Sequence, residues 1–305
     1  MPEMITVVAF LEASVRLGIP LALAAMGETI TERSGVINIG LEGSLIAGAL
    51  GGALGALAIG GAGGGILVGA FGGALVAMIF AGFAVGLGTD QIITGTAVTL
   101  GGLGFTGAIY QARFGTTGTA LTLPTLSSVP IPLLSDIPII GSALFNQAPT
   151  TYFTYLLAPA LWYFVYRTEW GLELRAVGEE PDAAAAAGVR VKQSRFWATV
   201  FGGTLAGIAG AHLALAHAGT FAENMSAGRG FIAIAVVVLG RWNPPLVLLA
   251  ALFFGAASAL QFQAQTLGLA VPYQLFLAFP YLLTLLALAG WVGKSRAPAS
   301  LALPW

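Results

Sequence analysis

The chain alternates long apolar runs with short polar segments, and the lengths of the runs predict its architecture. Runs long enough to cross a bilayer as a helix, about 20 residues, lie at 5–26, 38–60, 63–87, 92–111, 195–217, 246–266 and 273–291. Two shorter runs, 151–166 and 228–241, are candidate additional spans. The pattern predicts an all-α transmembrane bundle of about nine spans, with about eight or ten as alternatives, in one domain covering residues 1–305.

Composition indicates whether water or lipid surrounds this bundle. Only 8% of the 305 residues are charged, 57% are hydrophobic, and the mean hydropathy is +0.89. A soluble domain carries about 25% charged residues, so we predict a multi-pass membrane protein covered mostly by lipid. The 43 glycines suit close helix packing in lipid. The absence of cysteine excludes disulfides and thiolate metal sites, and a net charge of −1 gives no basis for a nucleic acid partner.

Lysine and arginine in the loops predict the orientation, because they are enriched on the cytoplasmic side. Such residues cluster in 168–194 and at its two edges, whereas 112–150 carries only Arg113. We therefore expect 168–194 to be cytoplasmic and 112–150 to be an extracytoplasmic loop, either an irregular cap or a docking surface. Nine spans would place the N-terminus outside. Glu12 and Arg16 could pair on one helix face or mark a tilted, interfacial helix.

A charged stretch, GETITERSGVINIGLEG at residues 27–43, separates the first two runs. Its glycines favour an interrupted helix, and breaks at membrane depth occur where they line a cavity or are buried in protein. A carboxylate at the bilayer centre costs about 2.5–3.5 kcal/mol on insertion scales. We therefore expect Glu28, Glu32 and Arg33 to stay at the inner surface, where they organise the inner mouth. A place in the translocation path is the alternative for Glu32 and Arg33.

Deeper in the same stretch, Asn38 and Glu42 are drawn into lipid by their apolar neighbours. They either bond between helices or line a translocation path. Gln91 and Thr94 add neutral polar groups at span depth, which suit an uncharged polar solute. Most groups of this kind are interhelical hydrogen bonds worth about 0.6 kcal/mol each.

A second interruption comes before the 228–241 run, where Glu223, Asn224 and Arg229 occur. Interrupted segments in opposite halves of a chain are typical of transporters. Glu223 and Arg229 are either a surface pair of little energetic weight or, with Asn224, a surface for a docking protein at the outer mouth. His212 and His217 are five residues apart and do not share a helix face well, so we predict no metal site.

The cytoplasmic segment contains a short helix with a signal at each end. Pro181 suits the first turn, Glu180 and Asp182 favour the positive end of the helix dipole, and Gly188 follows five alanines in the position that ends a helix. So short a helix is marginal alone in water. It is either an ordinary connector or a coupling element that fits a groove on another protein.

Four segments carry a family resemblance, in order, from about residue 20 to about residue 290. LRAVGEEPDAAAAAGV resembles the cytoplasmic coupling segment of ATP-binding-cassette (ABC) importer permeases of the branched-chain amino acid, ribose and nucleoside group. ERSGVINIGLEG is similar to an early signature of the nucleoside-type branch. AGRGFIAIAVVVLGRWNP and PYLLTLLALAG are similar to two further signatures. The resemblance is greatest to the shorter of the two permeases that pair in bacterial nucleoside importers.

This resemblance implies a permease in the inner membrane that forms a heterodimer with a second permease. It also implies a separate cytoplasmic ATPase, which would bind ATP and Mg while this chain binds no cofactor, and an extracytoplasmic substrate-binding lipoprotein. The residues to which it assigns coupling are Arg175, Gly178, Glu179, Glu180, Pro181, Asp182, Ala187 and Gly188. Ribose-like sugars and branched-chain amino acids are the alternative substrates.

The sequence contains few of the features that other classes of membrane protein require. The nearest approach to a P-loop, LAGWVGKS at 288–295, lacks the first glycine and ends an apolar run, so we expect no ATP hydrolysis by this chain. A stand-alone secondary transporter or channel would need a buried titratable group, for which Glu42 is the one tempting candidate. An intramembrane enzyme would need paired catalytic groups, and the sequence presents no such pair.

Overall fold

The computed structural model describes residues 2–115, 121–266, 282 and 297–305 of the chain, and the described part is a helical bundle. Its helices are α1 (Pro2–Arg33), α2 (Leu41–Ile59), α3 (Ala62–Ala81), α4 (Gln91–Phe114), α5 (Ile140–Phe145), α6 (Pro149–Arg167), α7 (Glu169–Glu179), α8 (Pro181–Ala186), α9 (Val191–His212), α10 (Arg229–Leu239) and α11 (Pro244–Thr266). Wider π-helical turns extend α3 over Gly82–Gly86 and α9 over Leu213–Ala218.

Six helices in the described ranges are long and apolar enough to cross a membrane: α1, α2, α3, α4, α9 and α11, those with π-helical turns being counted with them. This confirms a multi-pass helical protein. Helices α6 and α10 correspond to the two shorter runs. The total of about nine spans stays a prediction, and the run at 273–291 lies outside the described residues.

The predicted end of the first span, at residue 26, differs from the structure. Helix α1 continues to Arg33 and includes Glu28 and Glu32, which are 0% and 1% exposed. The apolar pattern stops at these carboxylates because they are charged, whereas the helix continues because other elements bury them. Glu12 and Arg16 lie within this one continuous helix.

Glycine allows three helices to pack almost backbone to backbone. A Cβ atom on Gly69 of α3 would lie 2.6 Å from the Cβ of Ala211 on α9 and 2.7 Å from the carbonyl oxygen of Gly48 on α2. Gly65 and Gly73 repeat this close approach one turn earlier and one turn later. Small residues at four-residue spacing permit such contact in lipid, where van der Waals packing replaces the hydrophobic drive of water.

Two ends of the bundle can be distinguished by what gathers there. The basic end, as we call it, holds the end of α1, helices α7 and α8, residues 240–243 and residues 297–305. The loop end holds residues 121–148, where β1 (Val129–Pro130) and β2 (Asn146–Gln147) form a small antiparallel ribbon and α5 begins. This loop is hydrogen-bonded to the π-helical extension of α9, with Leu126 N donating to Leu215 O. The loop is therefore partly ordered into strands and a helix, and the rest is irregular.

Candidate functional site

The polypeptide between α1 and α2, residues 34–40, is a true helix break inside the protein. Gly35 has φ +90°, a conformation that favours glycine because a side chain would crowd the backbone. The buried backbone groups of such a segment need partners outside a helix. Arg195 of α9 supplies one, with its Nε donating to Ser34 O at 3.1 Å. The predicted interruption is thus present.

Side chains from α1 and α4 bind the remaining part of this break. Gln91 Oε1 accepts from Ile37 N at 2.8 Å, and Glu28 Oε1 accepts from Asn38 N at 2.7 Å. Thr99 of α4 donates to Ile39 O at 3.0 Å. The side-chain oxygens of Glu28 and Gln91 therefore accept hydrogen bonds from backbone N–H groups of the break and hold this segment in place. Thr99 was not singled out from the sequence, because a threonine in an apolar run has many ordinary roles.

The second break, residues 219–228 before α10, is connected to the start of α2, just after the first break, by one carboxyl group. Glu42, in the first turn of α2, accepts from Gly228 N at 2.8 Å and from Gly230 N at 2.6 Å. Helix α10 has 11 residues, or about 16 Å at about 1.5 Å per residue, which is roughly half a hydrocarbon core. Its start therefore lies inside the bundle. There, the Glu42 carboxyl lies next to the N-terminal ends of α2 and α10, a position at which the helix dipole favours acidic side chains.

Two residues at the end of α1 bind the α10–α11 connection. Trp242 Nε1 donates a short hydrogen bond to Glu32 Oε2. Arg33 donates from Nε and Nη2 to Trp242 O at 3.1 and 3.0 Å, and from Nη2 to Tyr166 at 2.8 Å. Glu32 is thus buried within the helix rather than at the solvated surface that the sequence predicted, and its role at an inner mouth stays a prediction.

Several polar atoms around the first break have no hydrogen-bond partner among the described residues. They include Glu28 Oε2, Glu32 Oε1, and both side-chain polar atoms of Asn38, which is 0% exposed. Unpaired buried polar groups cost free energy, so they are rare outside functional regions. Of the residues named as path candidates, Asn38 is the one with its side-chain groups unused.

The other path candidates have visible partners or lie elsewhere. Thr94 shares a hydrogen bond with Thr89 at 2.7 Å and borders an apolar cleft of about 740 Å³ between α3 and α4. Gln91 is 4% exposed and bonds to the break as described. The structure therefore does not bring all four candidates into one cavity in the described residues.

The predicted coupling segment, residues 168–194, contains two short helices, α7 and α8, rather than the single short helix expected. Helix α7 begins where Thr168 caps Gly171 N, and α8 begins at Pro181 and ends before Gly188, whose φ is +90°. The predicted start and stop signals of α8 are therefore correct. The extra helix was missed because its length and composition resemble those of a polar connector.

The coupling candidates divide by exposure. The exposed ones are Glu179, Glu180, Asp182, Ala187 and Gly188, and Arg175 and Pro181 are half-buried. Gly178, by contrast, is buried, and a Cβ there would collide with Arg33 O and lie 3.2 Å from Gly35 N. Gly178 thus holds α7 against the first helix break, and it cannot contact another protein directly. The remainder of the segment is largely exposed, with Asp182 accepting from Trp305 Nε1, and it borders a cleft of about 820 Å³.

The docking candidates lie at or near the loop end. Glu223 and Asn224 are exposed, and Glu223 accepts from Gln111 Nε2 at 2.8 Å. Arg229 donates from Nη1 to Met225 O and Ser226 O, which fixes the turn that enters α10. His212 is buried and shares a hydrogen bond with Thr150, and the described residues contain no group of three or more potential metal ligands of the His, Cys, Asp and Glu types.

These features define a multi-pass membrane protein with two internal helix breaks and an exposed helical segment at one end. The family profile of the "Branched-chain amino acid transport system / permease component" matches residues 10–288. The chain belongs to this permease family.

Three known permeases are similar to this chain over most of their length. The guanosine ABC transporter permease NupQ of Bacillus subtilis is 36% identical over 94% of this chain and 92% of its own. The nucleoside ABC transporter permease NupC of Lactococcus lactis is 34% identical over 92% and 90%. TsgC13 of Haloferax volcanii, an ABC permease named provisionally for glucose, is 36% identical over 86% and 79%. Shorter matches cover 33% and 29% of this chain, in the guanosine ABC transporter permease NupP of Bacillus subtilis and the nucleoside ABC transporter permease NupB of Lactococcus lactis. No solved structure matches.

Proposed function

We propose that this protein is the permease subunit of an ABC importer that carries nucleosides across the inner membrane by alternating access. The observation that carries the proposal is the position of the coupling segment. Helix α8 is exposed at the basic end, and the preceding helix α7 touches the first helix break through Gly178. A displacement of α8 by a bound protein would therefore be transmitted through α7 to the first helix break.

The work is divided between this chain and its partners. A separate cytoplasmic ATPase binds ATP and Mg and docks on α8 and the adjoining residues Glu179, Glu180, Asp182, Ala187 and Gly188. A second permease completes the path across the membrane, and the partial similarity to NupP and NupB supports such a pairing. A substrate-binding lipoprotein docks at the loop end near Glu223, Asn224 and Arg229.

Within this chain, Asn38 is our strongest candidate for contact with the solute. Its amide lies at the first break, and its polar atoms have no partner among the described residues. A neutral amide both donates and accepts, as the hydroxyls and base of a nucleoside require. Glu42, Gln91 and Glu28 support this position by holding the backbone of the two breaks.

Nucleosides are favoured over sugars by the two relatives with the most complete coverage, both of which are named for guanosine or nucleoside transport. Glucose is the second candidate, on the similarity to TsgC13. The two differ in shape and hydrogen bonding, and the binding protein would make most of the choice.

Reconstitution with the encoded partner subunits tests the proposal. Proteoliposomes containing both permeases, the ATPase and the binding protein are loaded with ATP and offered labelled guanosine, uridine, glucose or leucine. We expect ATP-dependent uptake of nucleosides, abolished when the ATPase is omitted. Uptake of glucose alone would show that the substrate is glucose and not a nucleoside. Uptake by this chain without an ATPase would contradict the mechanism.

A further inference from the structure

Residues 297–305, which we call the strap, cross the basic end and contact four elements: α7, the first helix break, α8 and α9. Ser300 N donates to Gly178 O of α7 at 2.9 Å, and Ala302 N donates to Gly35 O of the first break at 3.1 Å. Trp305 Nε1 donates to Asp182 in the first turn of α8 at 2.8 Å. Nothing in the sequence pattern predicted this, because the segment is short, neutral and rich in alanine and proline.

The strap is fixed to the bundle by one buried arginine. Arg195, 2% exposed near the start of α9, donates from Nη1 to Leu303 O at 2.9 Å and from Nη2 to Ser300 Oγ at 3.0 Å. Its Nε donates to Ser34 O in the first break. A guanidinium has five donors in a rigid plane, so it can hold several carbonyls in a fixed relation. Arg195 therefore joins α9, the strap and the break at one point.

The hydroxyl of Ser300 continues this connection to the coupling helices. Ser300 Oγ accepts from Arg195 and donates to Gly178 O at 2.7 Å. The packing around it leaves no space. A Cβ on Gly35 would lie 2.6 Å from Ser300 Oγ and 2.8 Å from Arg195 Nη2. Displacing α7 thus requires the strap, the arginine and the break to move or to lose hydrogen bonds.

We propose that Ser300 and Arg195 are positioning residues that transmit the displacement of α7 and α8 to the first helix break. The proposal rests on the ATPase-driven function proposed above. Helix α8 has six residues, too few to be a stiff lever alone. The strap gives it a second attachment through Trp305 and Asp182, so that α7, α8 and the strap move as one body. Coupling then depends on hydrogen bonds at Ser300 in addition to the direct contact at Gly178.

Ser300→Ala is the sharpest test, because it removes the bridging hydroxyl and leaves the backbone bonds of the strap. Leu303→Ala is the matched control, since Leu303 contributes only its carbonyl to Arg195 and its side chain is exposed. Both variants are assembled with the full set of partner subunits. The amount of assembled complex, the rate of ATP hydrolysis and the rate of nucleoside uptake are measured together.

We expect Ser300→Ala to lower nucleoside transported per ATP hydrolysed on the order of fivefold or more, with assembly and hydrolysis retained. Leu303→Ala should keep the wild-type ratio. A role in stability alone would lower the amount of complex and leave the ratio unchanged, and that result would overturn the proposal.

Arg195→Lys provides a second measurement, because lysine keeps the charge but cannot reach three acceptors in one plane. A fall in the transport ratio at normal assembly supports the proposal, and an unchanged ratio at normal assembly contradicts it. If the wild-type complex shows no ATP-dependent uptake at all, the proposed function itself has failed. If the wild-type complex is coupled and the strap variants keep the same ratio, only the role proposed for Ser300 and Arg195 has failed.

Discussion

Replacing Glu42 by glutamine tests whether this carboxylate joins the two helix breaks. Both of its oxygens accept backbone N–H groups at the start of α10, and its side chain is 2% exposed. Glutamine has nearly the same shape, but it has one acceptor oxygen and one NH₂ group. One of the two amides, Gly228 N or Gly230 N, would then face another donor and lose its partner.

The expected cost follows from these contacts. Leaving one buried donor unpaired costs about 1–3 kcal/mol, and replacing an acidic side chain by an amide at a helix N-terminus costs up to about 2 kcal/mol more. Together they give about 3 kcal/mol, or roughly 150-fold in an equilibrium constant. Such a loss should loosen the start of α10 relative to α2.

Thermal stability of the detergent-solubilised chain measures this effect, read as the fraction that remains monodisperse after heating. Glu223→Gln is the matched control for the charge change, because Glu223 is exposed and glutamine can still accept from Gln111. We expect a clearly lower midpoint for Glu42→Gln and an unchanged one for the control. An unchanged midpoint with abolished uptake would instead make Glu42 a residue of the translocation path, and the reasoning about the breaks would be refuted.

Three further substitutions have defined outcomes. Gly35→Ala should destabilise the chain by at least about 1–2 kcal/mol, because its positive φ is strained for a side chain, and limited proteolysis should cleave near the break sooner; equal resistance would contradict the packing described. Trp242→Phe removes the donor to Glu32 Oε2 and should lower the midpoint, at a cost of about 1–3 kcal/mol; a raised midpoint would show that the bond is not needed. Gly69→Ala should destabilise the bundle by about 1–3 kcal/mol, whereas Gly104→Ala, with open space at its Cβ, should be neutral or stabilising; equal midpoints for the pair would argue against the α2–α3–α9 contact.

Features that depend on local chemistry were predicted well from the sequence. The start and end of α8 follow from Pro181 and Gly188, whose backbone preferences operate whatever surrounds them. The helix interruption at residues 34–40 follows from its glycines in the same way. Close glycine packing was also expected, because lipid-embedded helices need small residues to approach.

Features that depend on distant partners were not predictable. Helix α1 continues through Glu28 and Glu32 because Asn38 N and Trp242 Nε1 meet their carboxylates, and those partners are 10 and 210 residues away. Glu42 was recognised as important, yet its partners at the start of α10 lie 186 and 188 residues further along the chain. From the sequence, Arg195 is only one of the basic residues at the edges of 168–194 that predict orientation, whereas in the structure it is buried and binds the strap.

Cross-linking from α8 tests the central claim, that the driving force arrives from a separate ATPase through this helix. The chain contains no cysteine, so Ala187→Cys places a single thiol at an exposed position next to Gly188. In the assembled transporter, a short cross-linker that carries one maleimide and one photoreactive group should join this thiol to the ATPase and to no other subunit. We predict that this product forms in the complete complex and is absent when the ATPase is left out. Cross-linking of Ala187→Cys to the binding protein, or its labelling from the extracytoplasmic side of sealed vesicles, would contradict the account.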